Sequence, residues 1–303
     1  MAPGPEFGRM LPTHIEPALF GADGSIEKNP DYLLFDDLVL FEALAAEHAD
    51  LFDVIGACVG VDHCHDLRAL LRQILGLPEV RAEIVSEVAQ LEQELCGNRL
   101  EHTETERLLE MPSERLADTL ISGWDLETRK QVLRWPMPNG LFARDCFAVV
   151  GDAVVLGYPR HPCRRRDGVI ARAIVRHHPL LKAVDRVDLA ELCDEPRGLH
   201  LEGGDVLVVG ADLVMIGIGL RTTLRAAQVL AARFAARGVG HVLGVHLPSK
   251  RAAMHLDTLF TVIDRDSCLL YSAAFDEQTP ASERVEVIDL LAQDKALGCN
   301  LPA

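Results

Sequence analysis

Leu201-Glu202-Gly203-Gly204-Asp205-Val206-Leu207-Val208-Val209-Gly210-Ala211-Asp212-Leu213-Val214-Met215-Ile216-Gly217-Ile218-Gly219 holds two aliphatic runs about an Ala-Asp pair. Runs of this kind, broken at Ala211-Asp212, predict a β-hairpin over 206–219. Two acids bracketing a glycine pair stand at its mouth. An ionised carboxylate taken out of water without a partner costs several kcal/mol or neutralises itself. Glu202 and Asp205 therefore mark a place that receives a positive charge.

The same pattern occurs twice more. Residues 146–156 predict a hairpin about Gly151-Asp152, and 259–271 predict one about Asp264-Arg265-Asp266. Asp145, Asp205 and Asp257 each lead the first strand, and Asp152, Asp212 and Asp264 follow seven positions later, at steps of 60 and 52 residues. Helices are expected at 167–178 and 222–237, with a strand at 241–245. A recurring hairpin, helix and strand is a repeat architecture. Such units bury their apolar faces against one another and tend to close around an axis. The fold class is α/β, and closure would bring the three leading aspartates to one central funnel.

Outside the repeats the period is helical. Leu38, Phe41, Leu44, Ala45 and Leu51 predict an amphipathic helix over 38–55. Asp66 caps a helix over 67–75, Pro78 opens another that Gly97-Asn98 stops, and shorter helices are expected at 104–121 and 125–133. The block at about 66–133 reads as an inserted helical subdomain. Residues 1–30 read as an irregular, flexible lead before a domain over 31–303, and 285–297 as linker and helix.

Composition narrows the partners. The chain has 303 residues, 49% of them hydrophobic, enough for a large core. Against 30 Lys plus Arg stand 46 acids, a formal net charge of -16, which argues against nucleic acid or an anionic membrane as partner. No apolar run reaches the roughly 18 residues of a membrane span. Eight cysteines are scattered without a CxxC pair, which suits a reducing cytoplasm.

The acids at the strand mouths, Asp145, Glu202, Asp205 and Asp257, offer the forked acceptors that a guanidinium requires. His255 stands two residues before Asp257, where alternation on a strand would turn both side chains to one pocket as a proton carrier beside a cation site. Arg164 in Arg164-Arg165-Arg166 and Arg221 after the second hairpin could take a carboxylate. Asp62-His63-Cys64-His65-Asp66 has some metal-ligand character but no second cluster at zinc spacing, so no metal is expected. Glu202-Gly203-Gly204-Asp205 is no phosphate loop, because no helix follows it and its charge has the wrong sign.

These segments resemble the motifs of the arginine deiminases. Pro138 to Asp145 is similar to their PN-x-x-F-x-RD, Leu201 to Asp205 to LEGGD, Gly219 to Thr222 to G-x-R-[ST], Met254 to Thr258 to MHLDT and Leu33 to Asp37 to LLFDD, in the family's order. The resemblance implies a pseudo-symmetric α/β propeller of the pentein type with a helical insertion. It implies hydrolysis of L-arginine to L-citrulline and ammonia without metal or organic cofactor. Asp145 and Asp257 would grip the guanidinium, Glu202 would orient it and assist proton transfer, and His255 would protonate the leaving ammonia and then activate water. Asn139 and Phe142 would line the pocket, Arg164 and Arg221 would hold the substrate carboxylate, and Asp205 would support from behind. Another guanidino-modifying activity, such as an amidinotransferase or an agmatine or methylarginine hydrolase, and a non-catalytic arginine binder are the alternatives.

One motif does not match. The family's nucleophilic cysteine lies in a segment of the type RGRGG-x-x-CM, and this sequence ends Gly298-Cys299-Asn300-Leu301-Pro302-Ala303. The expectation is that the last repeat, with the thiol that forms the amidino intermediate, is missing. Cys299 lacks the Gly/Arg-rich neighbours a reactive thiolate needs. Apolar faces uncovered in this way would favour association of copies.

Overall fold

The computed structural model describes residues 1–21, 23–192 and 198–292. The chain divides into two units, one of 1–143 with 162–183 and one of 144–161 with 184–303.

The second unit carries the hairpins. Phe147–Val150 pairs antiparallel with Ala153–Leu156 about Gly151, whose φ of +61° supplies the left-handed turn that glycine adopts without strain. Val206–Gly210 pairs in the same way with Leu213–Ile218, and Phe260–Asp264 with Ser267–Leu270. In the first two copies a parallel strand then joins the hairpin's second strand, Asp185–Val187 on Ala153–Leu156 and His241–His246 on Leu213–Ile218. Parallel neighbours require a crossover. In the second copy this is the helix Leu224–Ala236, capped by the Thr223 side chain. Its buried stripe of Ala227, Leu230, Ala231 and Phe234 packs on Val214, Ile216 and Val242.

Several expectations change here. Asp145, Asp205 and Asp257 do not begin strands. Each lies in a single helical turn just before its hairpin, Ala143–Cys146, Gly203–Asp205 and Leu256–Thr258. The repeat thus extends one element further back than alternation suggested. The third hairpin acquires no parallel strand among the described residues, and its second strand is exposed throughout. Of the stretch expected as linker and helix, Glu286–Asp289 is a strand antiparallel to His241–His246, residues 290–292 are helical, and 293–297 lie outside the described residues. None of the sheets formed by the described residues closes on itself, so the observed class is mixed α/β.

The first unit is helical. Leu67–Ile74 starts where the Asp66 carboxylate accepts from Ala69 N at 3.1 Å. Pro78–Cys96 stops at Gly97, with φ +65°. The expected 104–121 helix is two, His102–Glu110 and Ser113–Ser122, parted at Met111-Pro112. Residues 125–133 form no helix. Arg107, Arg115 and Thr128 all bond the Asp125 carboxylate, and the segment turns back so that Trp124–Asp125 pairs with Lys130–Gln131. The helix Arg165–His177, expected among the repeats, contributes Val169, Ile170, Ala173 and Ile174 to this unit's core instead.

The first residues are not a flexible lead. Glu6 is fully buried and meets Arg68 at 2.7 Å, and Phe7 is buried beside it in sequence. Phe41–Val59 is helical as its period required, yet of its 19 residues only Gly56 is buried. The described cysteines, Cys58, Cys64, Cys96, Cys146, Cys163 and Cys268, are free thiols. No helix among the described residues is long and apolar enough to cross a membrane.

Candidate functional site

The helical turns before the three hairpins, with the turn that follows Leu213–Ile218, gather one cluster in the second unit. His255 stands at its centre. Its backbone is extended, with φ -133° and ψ 155°, at the start of Leu256–Thr258. Its Nδ1 lies 3.4 Å from Asp205 Oδ2, and its Nε2 lies 3.4 Å from Glu202 Oε2 and 3.5 Å from Asp145 Oδ1. His255 and Asp257 therefore share the site across a helical turn, and not through the strand alternation expected of them.

Each neighbour is itself held. Asp205, fully buried, accepts from Thr222 Oγ1 at 2.6 Å and from Leu256 N at 2.9 Å, which aims its Oδ2 at the imidazole. The same threonine oxygen accepts from Glu202 N at 3.2 Å. Glu202 is also fully buried, and Arg221 Nη1 donates to its two oxygens at 3.0 and 3.3 Å. Asp205 thus stands behind the histidine as the resemblance implied, whereas Thr222 was given no part from sequence. The signal was present in the threonine of Gly219-Leu220-Arg221-Thr222, which follows the arginine by one position.

Electrostatics set the protonation. Burial alone would lower the His255 pKa, but hydrogen bonding to Asp205 and Glu202 and the charges of Asp205 and Asp145 prevail and push it up to about 10. At neutral pH His255 is an imidazolium. Burial raises the Asp205 carboxyl above its ordinary value despite the histidine and Thr222. Burial also raises Asp257; the imidazolium pulls it down and Asp145 pushes it further up. Among the described residues the half-buried Asp257 carboxylate has no hydrogen bond or ion pair.

Asp145, Glu202 and His255 present ligand atoms within 4.8 Å of one another, the one such group among the described residues. A metal there would have to displace the imidazolium proton and compete with Arg221 for Glu202. The donor set suits a hydrogen-bonding cation better.

Asn139, Phe142 and Arg164 belong to the first unit. Asn139 is buried and its Nδ2 donates to Leu33 O at 2.7 Å. Phe142 is half exposed, its ring 6.1 Å from that of Phe35. Arg164, buried, donates through Nε to Asp167 at 3.0 Å and through Nη2 to Asn139 O at 3.3 Å. Both arginines expected to meet a substrate carboxylate thus lie on acceptors of the protein. Cys299 lies outside the described residues.

Comparison with known proteins agrees with the motifs. Residues 31–296 match the family model described as arginine deiminase. An arginine deiminase of Bacillus cereus is 30% identical over 264 residues, a span that covers 80% of this chain and 63% of that protein. One of Staphylococcus aureus is 30% identical over 271 residues with the same coverage. The chain thus spans less than two thirds of the length of these relatives. Among solved structures, an arginine dihydrolase from cyanobacteria overlaps 52% of this chain and 24% of its own at 23% identity and a TM-score of 0.37. A dimethylarginine dimethylaminohydrolase overlaps 53% and 61% at 20% identity and a TM-score of 0.34. With the family model matched across most of the sequence, and with its relatives matched over four fifths of it, the chain belongs to the arginine deiminase family.

Proposed function

We propose that this chain carries the substrate cage and the acid-base group of a hydrolase that converts L-arginine and water to L-citrulline and ammonia. The observation that supports it best is His255, an imidazolium held by Asp205 on one nitrogen and facing Glu202 and Asp145 with the other. Asp145 and Asp257 take the guanidinium N–H groups, and Glu202, steadied by Arg221, orients the reacting carbon. A thiolate attacks that carbon. His255 gives its proton to the departing amine, releasing ammonia, and then takes one from the water that attacks the amidino thioether and expels the thiolate.

Among the described residues we assign that step to no cysteine: Cys146, next to Asp145 in sequence, is buried. We assign the thiol to a Gly/Arg-rich segment of the RGRGG-x-x-CM type. The hairpin, helix and parallel-strand units are read as blades of the family's propeller. Arg221 meets the substrate carboxylate once the ligand is bound.

Citrulline is assayed for the chain alone and for the chain joined to such a segment. The expected result is citrulline from the joined protein only, abolished by alanine at the added cysteine. Citrulline from the chain alone that disappears in Cys299→Ala overturns the assignment of the thiol. Arginine binding without turnover in both forms indicates a non-catalytic binder.

A further inference from the structure

The glycines around the cluster differ in what a side chain would strike. A Cβ on Gly203 would come within 2.1 Å of Arg144 O, one on Gly157 within 2.5 Å of Asp145 O, and one on Gly217 within 2.4 Å of Asp205 Oδ1. Those three are small because chain or a buried carboxylate already fills the space. Gly204 is different. Its Cβ would lie 3.0 Å from His255 Cγ, 3.1 Å from Asp145 Oδ1 and 3.2 Å from Asp257 Oδ2, so the atoms nearest its bare face are side-chain atoms of three site residues. Its φ is not in the left-handed region, so the backbone does not demand glycine there.

Two carboxylate oxygens and an imidazole thus converge over one hydrogen-bearing Cα. We infer that Gly204 is a specificity-determining residue, the floor on which the planar cation of the substrate lies while Asp145 and Asp257 bond its edge. This rests on the guanidinium reading above. A flat ion in contact with a Cα–H can reach both oxygens, whereas a methyl at that point pushes it outward or parts the acids. The contacts a methyl would make are close but not impossible, and side chains can yield by a few tenths of an ångström. Gly204→Ala should therefore fold.

L-Arginine binding is measured by calorimetry for the wild-type chain and for Gly204→Ala, with thermal melts of both. The expected result is an affinity lowered by roughly tenfold or more at an unchanged melting temperature. In the wild type, arginine should also move the Gly204 amide and Hα resonances, a reading that holds if the variant fails to fold. Equal affinity in a folded Gly204→Ala, or arginine bound with the Gly204 signals unmoved, overturns this inference alone. No binding by the wild type overturns the guanidinium reading and this inference with it.

Discussion

Asp125 in the helical unit and Asp257 in the hairpin unit are both aspartates withdrawn from water, and they meet opposite surroundings. Asp125, fully buried, accepts from Arg115 at 2.7 and 3.0 Å, from Arg107 at 3.0 Å and from Thr128 at 2.7 Å. Burial would raise its pKa, but these donors carry it down to about 2. Asp257 has no such donor among the described residues and its pKa is raised. A buried carboxylate with its cations supplied holds a fold together. One that has no hydrogen-bond donor of its own, and whose pKa stays raised beside Asp145 despite the charges of His255 and Arg144, is a cost that a ligand can remove.

The contrast is broken most severely by deleting each acid in turn. Asp125→Ala removes the buried acceptor of Arg107, Arg115 and Thr128, leaves the two arginines their contacts to Glu104 and Glu127, and should cost about 2 kcal/mol in urea denaturation. Asp257→Asn relieves repulsion and desolvation, so it should leave the denaturation midpoint unchanged or raise it while abolishing arginine binding. A loss of stability in Asp257→Asn comparable with that of Asp125→Ala would make the two acids the same kind of residue.

Why one unit was legible and the other less so follows from where the signals lie. Hairpin turns at Gly151-Asp152 and Ala211-Asp212, and the helix cap at Asp66, depend on neighbours in sequence, and they form as read. The 125–133 segment did not, because Asp125 is claimed by Arg107 and Arg115, whose reach across 18 and 10 positions leaves no mark on local periodicity. The exposed helix Phe41–Val59 shows the reverse limit: its period fixes the conformation but not what covers it. At the site, Asp145 and Asp257 could be named because they stand, with Asp205, at equivalent points of a repeat, and Glu202 and His255 because they adjoin those aspartates in motifs of the family. The assignment of Arg221 to Glu202 could not, since a guanidinium reads the same from sequence whether it waits for a ligand or steadies an acid.

The second way to sharpen the comparison is pH. His255 has a folded pKa of about 10 against an ordinary value of 6.5. Its proton therefore favours the folded state. That contribution is complete below about pH 6.5 and is lost as pH rises toward 10. Asp125, with its pKa lowered, acts in the opposite direction: its contribution is present above the ordinary aspartate range and is lost as pH falls toward 2. Melting temperatures should fall across pH 6.5–10 in the wild type and fall less in His255→Gln. They should fall on acidification in both. An identical alkaline slope in the two proteins would remove the charged imidazole from the account.

The smallest expected effect is the most specific to the site. Before ligand arrives, His255 owes its proton to Asp205, Glu202 and Asp145, acids for which a substrate guanidinium competes. Bonding of a cation to Asp145 and Asp257 places positive charge beside the imidazolium, which must lower its pKa. Binding at pH 8–9 should then release a fraction of a proton, and by linkage arginine should bind more tightly as pH rises through that range. Calorimetry in buffers of unequal ionisation heat reads the number directly. His255→Gln should bring it close to zero, whereas Asp125, whose cations are already in place, offers no such release. Proton uptake on binding, or release that survives His255→Gln, would mean that the ligand does not enter the field of the histidine. The lowered pKa also serves the first chemical step, because an imidazolium beside a second cation gives its proton more readily to the departing amine.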